Sequence, residues 1–127
     1  MEEITNVRKP FVVWEVNGVE YKLRLRAMDV SQLEDLFGRS LLSIIGEDDI
    51  PALGTMLAIV RRSMEKFQHG TTEEKVCAIY DDYVDEGGSL MNLYVDVVMP
   101  LFASSGFFTL SQTKTMLESM EKLRERM

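Results

Sequence analysis

Reactive side chains are scarce in this sequence. One histidine, His69, and one cysteine, Cys77, stand in 127 residues. A lone cysteine cannot close an intramolecular disulfide, and a lone histidine cannot supply the paired imidazoles of most transition-metal centres. No glycine-rich loop of the phosphate-cradling kind occurs. The first residues, Met1-Glu2-Glu3-Ile4-Thr5, lack the basic-then-apolar order of a secretory signal, so a reducing cytoplasm is the expected compartment. Basic residues are few as well. Lysine and arginine number 14 against 21 acids, a net charge of −7, and ten of the acids but five of the bases follow Gly70. That balance repels phosphate backbones and makes nucleic acid a poor expected partner.

The remaining composition, 46% hydrophobic and 28% charged, is ordinary for a globular chain, and the length suits one domain, residues 1–127, with one core. Its clearest local signal is Asn17-Gly18 between two β-rich runs. That pair specifies a two-residue hairpin turn over residues 11–25, because both turn positions need positive φ. The register then puts Val12, Trp14, Val16, Val19, Tyr21 and Leu23 on the side facing a helical layer. Phe11, Glu15, Glu20, Lys22 and Arg24 fall on the other side, and Arg26 continues the basic alternation.

Residues 29–127 read as a helical bundle. Asp29 caps a short helix that carries Val30, Leu33, Leu36 and Phe37 inward and stops at Gly38. A short apolar turn, Leu41, Leu42, Ile44 and Ile45, closes at Gly46 before the acidic loop Glu47-Asp48-Asp49. Pro51 opens a helix to about Gln68, with Leu53, Met56, Leu57, Val60, Met64 and Phe67 as its apolar stripe. Thr71 with Glu74 forms a capping box for the next helix, whose core face is Val76, Ile79, Tyr80, Tyr83 and Val84 and which ends at Gly87-Gly88. The expected fold is therefore α+β and predominantly helical, an N-terminal two-stranded hairpin packed on five to six helices.

The longest apolar concentration runs from Ser89 to Phe108. Leu90, Leu93, Tyr94, Val97, Val98, Leu101 and Phe102 follow buried-helix spacing, and Met91, Val95 and Met99 make the flanks apolar too. Asn92, Asp96 and Pro100 interrupt the run, and no cationic anchors flank it, so a core helix is expected rather than a membrane span. Pro100 implies a kink or break between Asp96 and Pro100. Phe107 and Phe108 follow Gly106, one expected on the core and the other exposed. A last helix starts at Thr109 or Ser111, with Met116, Leu117, Met120, Leu123 and Met127 on one face.

Catalytic chemistry finds little support. His69 sits at a helix C-terminus, where capping carbonyls is its expected role, and Cys77 reads as a small buried hydrophobe. Asp81 and Asp85 share a helix face, yet no third ligand completes a cation site, so a solvated acidic face is expected with Asp82 and Glu86. No catalytic, metal or cofactor-binding residue and no enzymatic activity are expected. Methionine is the positive signal, at nine residues. Flexible thioethers suit surfaces that adapt to apolar partners. Met91, Val95, Met99, Phe107, Phe108, Met116 and Met120 are the expected partner-binding or self-association residues, suited to the stripe of another helix. A small helical oligomerisation or regulatory adaptor module is the alternative on these grounds.

Four stretches taken together add a family likeness. W-E-V-N-G-V-E-Y-K-L-R-L (Trp14 to Leu25), L-E-D-L-F-G (Leu33 to Gly38), D-D-Y-V-D-E-G-G (Asp81 to Gly88) and S-S-G-F-F (Ser104 to Phe108), in this order and at this length, resemble the small tail assembly chaperones of long-tailed bacteriophages and prophages. The resemblance spans most of the chain and rests on order and spacing. It implies a non-enzymatic factor of the host bacterial cytoplasm that binds the helical tape measure protein, keeps it soluble, and aids recruitment of tail tube protein. It also implies absence from the mature virion.

Overall fold

In the computed structural model, residues 11–45 and 50–126 are described. Strands β1 (Val12–Val16) and β2 (Val19–Leu23) pair antiparallel in the expected register, Trp14 opposite Tyr21 and Val12 opposite Leu23. Asn17 and Gly18 both take positive φ, 55° and 78°, as a two-residue turn of this twist requires. Val19 departs from its expected place. It is 47% exposed, although Val16 opposite it is buried.

Six helices follow among the described residues. Helix α1 is Ala27–Phe37 and α2 is Leu41–Ile45. Asp29 is three residues inside the cap rather than the cap itself: its carboxylate accepts from the Arg26 backbone N–H at 2.9 Å. Val30, Leu33 and Phe37 pack inward, but Leu36 is 67% exposed. Consecutive helical residues are about 100° apart, so the face that buries Phe37 turns Leu36 outward. Gly38 ends α1 in the left-handed region and donates to Glu34 O. The expectations for Gly46 and Glu47-Asp48-Asp49 lie outside the described residues.

Helix α3 is Leu53–Met64, shorter than expected at both ends. Ala52, not Pro51, is the residue before its first turn. After Met64 the Phe67 and Gln68 N–H groups both turn back onto the Met64 carbonyl, at 3.0 and 2.7 Å. This frees the Gln68 amide to clamp the edge of β2, accepting from Lys22 N–H at 3.0 Å and donating to Lys22 O at 2.9 Å. An exposed strand edge is thereby occupied. Phe67, expected inside, lies in this turn, 37% exposed and edge-on to Phe11 at 6.0 Å. Helix α4 is Glu73–Asp85 and is capped by Thr72, one residue beyond Thr71, whose hydroxyl accepts from Lys75 N–H. Val84 sits at the margin of its inner face and is exposed.

Residues 90–105 form one rod, α5, with α geometry at Leu90–Leu93 and Met99–Ser105 and a π-helical turn at Tyr94–Val98 between them. Ser89 caps it, accepting from Asn92 N–H at 3.1 Å. Where a kink or break is expected, the helix is unbroken and widens into a π turn. Met99 N–H reaches the Tyr94 carbonyl five residues back. Such a turn changes the hydrogen-bond ladder just before Pro100, which has no N–H and would crowd the carbonyl four residues back. Helix α6, Leu110–Arg126, closes the chain. Thr109 and Gln112 cap it reciprocally, backbone to side chain, at 3.0 Å each way.

The hairpin rests on α3, α4 and α5, and α3 packs against α1, α4, β2 and the π turn. One buried cluster results, with Trp14, Leu23, Met56, Val60, Leu93, Val98, Leu101 and Phe102 among its members. A further strap joins the hairpin exit to α3, where Arg24 N–H donates to Ser63 O at 2.9 Å.

Candidate functional site

The residues expected to bind a partner are not equally available. Val95 is 1% exposed and Met120 6%, both covered by this chain. Met99, Met116, Phe107 and Phe108 are half-buried, and Met91 is exposed at 38%. Phe107 and Phe108 both pack on the core, Phe107 edge-on to Phe102 at 5.5 Å, so neither is the exposed member of the expected pair. Gly106, at φ 92°, turns the chain there, and adjacent side chains need not alternate as they do in extended backbone. Leu123, placed on the inner face by spacing, is exposed, and Met127 lies outside the described residues.

What brings Val95, Met99, Met116 and Met120 to one region is the packing of α6 on α5. Among the described residues, Val95, Ala103 and Met120 are buried hydrophobic side chains that do not belong to the main core. They lie on the π turn, the second half of α5 and α6, the elements that pack together here. Thr113 adds a fully buried hydroxyl on the same helix, which donates to Thr109 O at 2.9 Å. At the far end Arg124 Nε donates to Asp96 Oδ1 at 2.7 Å, and its NH1 donates to Glu121 Oε2 at 2.6 Å. The Asp96 bond is the first cause that holds the Arg124 guanidinium above its ordinary range. Burial pushes the Tyr83 hydroxyl up to about 12, with the charge on Asp96 and then Tyr80 adding to it. Burial raises Tyr94 in the same direction.

A second apolar feature lies on the other side of the molecule, where a groove of about 470 Å³ runs between α1, α3 and α4. Leu36, Phe37, Gly54, Ala58, Val76 and Cys77 line it, with Arg61 and Glu73 also in its walls. Cys77 is exposed here rather than buried as expected. Met28, 65% exposed, adds to the outward apolar surface of α1. A shallower depression of about 370 Å³, with Arg26, Val30, Glu34 and Phe107 in its walls, separates α1 from the end of α5. His69, Asp81, Asp82, Asp85 and Glu86 are all exposed, and no three histidine, cysteine, aspartate or glutamate side chains among the described residues are grouped to hold a metal. No helix among the described residues is long and apolar enough to cross a membrane.

The Asp96–Arg124 pair and the groove were missed by sequence reasoning. Asp96 was visible as a polar interruption of an apolar helix, but nothing in the spacing links it to a residue 28 positions on. The groove depends on how α1, α3 and α4 pack together, which the spacing within one helix does not give.

A family model matches residues 7–125, and so covers nearly all of the elements just described. The chain belongs to DUF6096, a family of unknown function. No curated protein and no solved structure matches it. The family description assigns no activity, so its members' function has to be argued from surfaces such as these.

Proposed function

We propose that this chain is a tail assembly chaperone, a non-enzymatic binding protein of the host cytoplasm. It would keep a long helical tape measure protein soluble during tail assembly and be left out of the finished particle. The observation that carries the reading is the order and spacing of the hairpin, the L-E-D-L-F-G helix end, the acidic D-D-Y-V-D-E-G-G end and S-S-G-F-F, which resemble that family along most of the chain. Two physical features support it. The groove beside Leu36 is lined mainly by apolar side chains, as a site for one face of a helix requires. A net charge of −7 would help keep a complex with an apolar helical partner dispersed.

Co-expression with a tape measure protein tests the proposal. The expected result is a tape measure protein that stays soluble and co-purifies with this chain, and that precipitates when expressed alone. A tape measure protein equally insoluble with and without this chain would remove the chaperone reading.

A further inference from the structure

The layer beneath α6 has the form of a ligand site already filled by the chain's own helix. Val95, Met99 and Ala103 recur at every fourth residue, which keeps them along one side of α5. Val95 and Ala103 are buried yet stand outside the main core, while Met99 between them is half-buried and also packs against it. Among the described residues, no side chain of α6 belongs to that core or is packed against it. The inner face of α6 is Thr113, Met116, Met120 and Arg124, at spacings of three, four and four. It presents a buried hydroxyl, two flexible apolar side chains and a cation paired with Asp96. The pair is open to water, with side-chain exposures of 42% and 35%, so solvent screens it and its hold is weak. Phe107 and Phe108 hold the chain to the main core just before α6, so a departure of α6 would begin after them, at Thr109.

We infer that the Val95–Met99–Ala103 strip with Asp96 is a docking site for an amphipathic helix of a partner protein, and that α6 is its resident competitor. The visiting helix carries two apolar side chains one turn apart and an arginine or lysine one turn further on, the chemistry that α6 itself displays. Departure of α6 uncovers the strip and leaves the main core in place. The inference deepens the chaperone reading and rests on it for the source of the visiting helix.

A fluorescent peptide with the sequence of residues 109–126 is the probe, added to the full-length chain and followed by anisotropy. Arg124→Ala in the chain, which releases the resident helix and frees Asp96, is expected to tighten peptide binding about two- to fivefold. A chain carrying Asp96→Cys and Arg124→Cys on a Cys77→Ser background is expected to bind the peptide before cross-linking, more weakly than the Arg124→Ala chain because Asp96 no longer pairs with the peptide's arginine. Joining the two thiols with a short bismaleimide is expected to abolish that binding. A peptide with Met120→Asp is expected not to bind. Equal binding to cross-linked and free chains would overturn the inference, and so would no binding to the Arg124→Ala chain. Conversion of that variant to a dimer without peptide uptake would also overturn it, since the occupant would then be a second copy. None of these arms uses a tape measure protein. Peptide uptake by a chain that leaves the tape measure insoluble would count against the chaperone reading alone, and solubilisation without peptide uptake would count against the strip alone.

Discussion

The hairpin and the C-terminal helix both pack on α5, but they are held there in different ways. The hairpin is fixed several times over. Its turn residues specify its register, Trp14, Val16 and Leu23 are buried in the main core, Gln68 clamps its edge, and Arg24 is tied to Ser63. Helix α6 has 17 residues; among its described side chains Met120 is the buried apolar one, Met116 and Leu117 are half-buried, and Arg124 makes a water-exposed ion pair to α5. Helices in proteins draw most of their stability from packing one apolar face. Full burial of a methionine contributes about 1.5–3 kcal/mol, while an exposed ion pair contributes about 0–1 kcal/mol. On this difference, cooperativity in the fold is expected to end near Phe107, with α6 opening as a separate layer.

The largest effect expected is in the main core. Phe102 is fully buried, and Phe102→Ala should cost about 3–5 kcal/mol and lower the urea midpoint for the whole hairpin–α3–α5 unit. Trp14, the sole tryptophan and buried beside the Tyr83 ring at 5.5 Å, reports that unfolding by fluorescence. Gly88→Ala comes next. A Cβ at Gly88 would lie 2.6 Å from the Tyr83 ring, which packs against Trp14 and Tyr80. The ring must move, and a loss of about 1–3 kcal/mol is expected by the same readout.

Met120→Ala divides the two regions. It should weaken the docking of α6 by up to about 2 kcal/mol, seen as helix lost at low urea by circular dichroism, with little change in the Trp14 midpoint. An equal shift of both signals would break the comparison. Alkaline pH sharpens it from the other side. The folded Tyr83 value near 12 exceeds the usual 10, so the protonated hydroxyl is favoured by folding. That stability is complete below pH 10 and is lost as pH rises from about 10 to 12. Tyr83→Phe should flatten the fall of the urea midpoint across this window. Arg124→Ala is the smallest effect on stability, below about 1 kcal/mol overall, read as faster exchange of α6 amides beside the gain in peptide binding expected above.

How much of this was legible depended on how local each cause is. Asn17-Gly18 determines the turn by its own backbone, so the hairpin and its register follow from two residues. The helices follow from apolar spacing, but their ends moved wherever a distant group intervened, as when Gln68 left α3 to bind Lys22. Pro100 announced a disturbed helix, yet a widened turn and a broken one share the same sequence signal. The site was least legible. Periodicity places Val95 and Met120 on apolar faces without saying that this chain itself covers both, and the Asp96–Arg124 pair depends on the fold having formed.

Native-state hydrogen exchange across increasing urea is the most direct test of the two-layer account. The expected result is that the amides of α6 exchange through an opening that leaves those of α3 and β1 protected, so that the two groups merge only near the global transition. Exchange of α6 and α3 amides through one common opening at every urea concentration would contradict it.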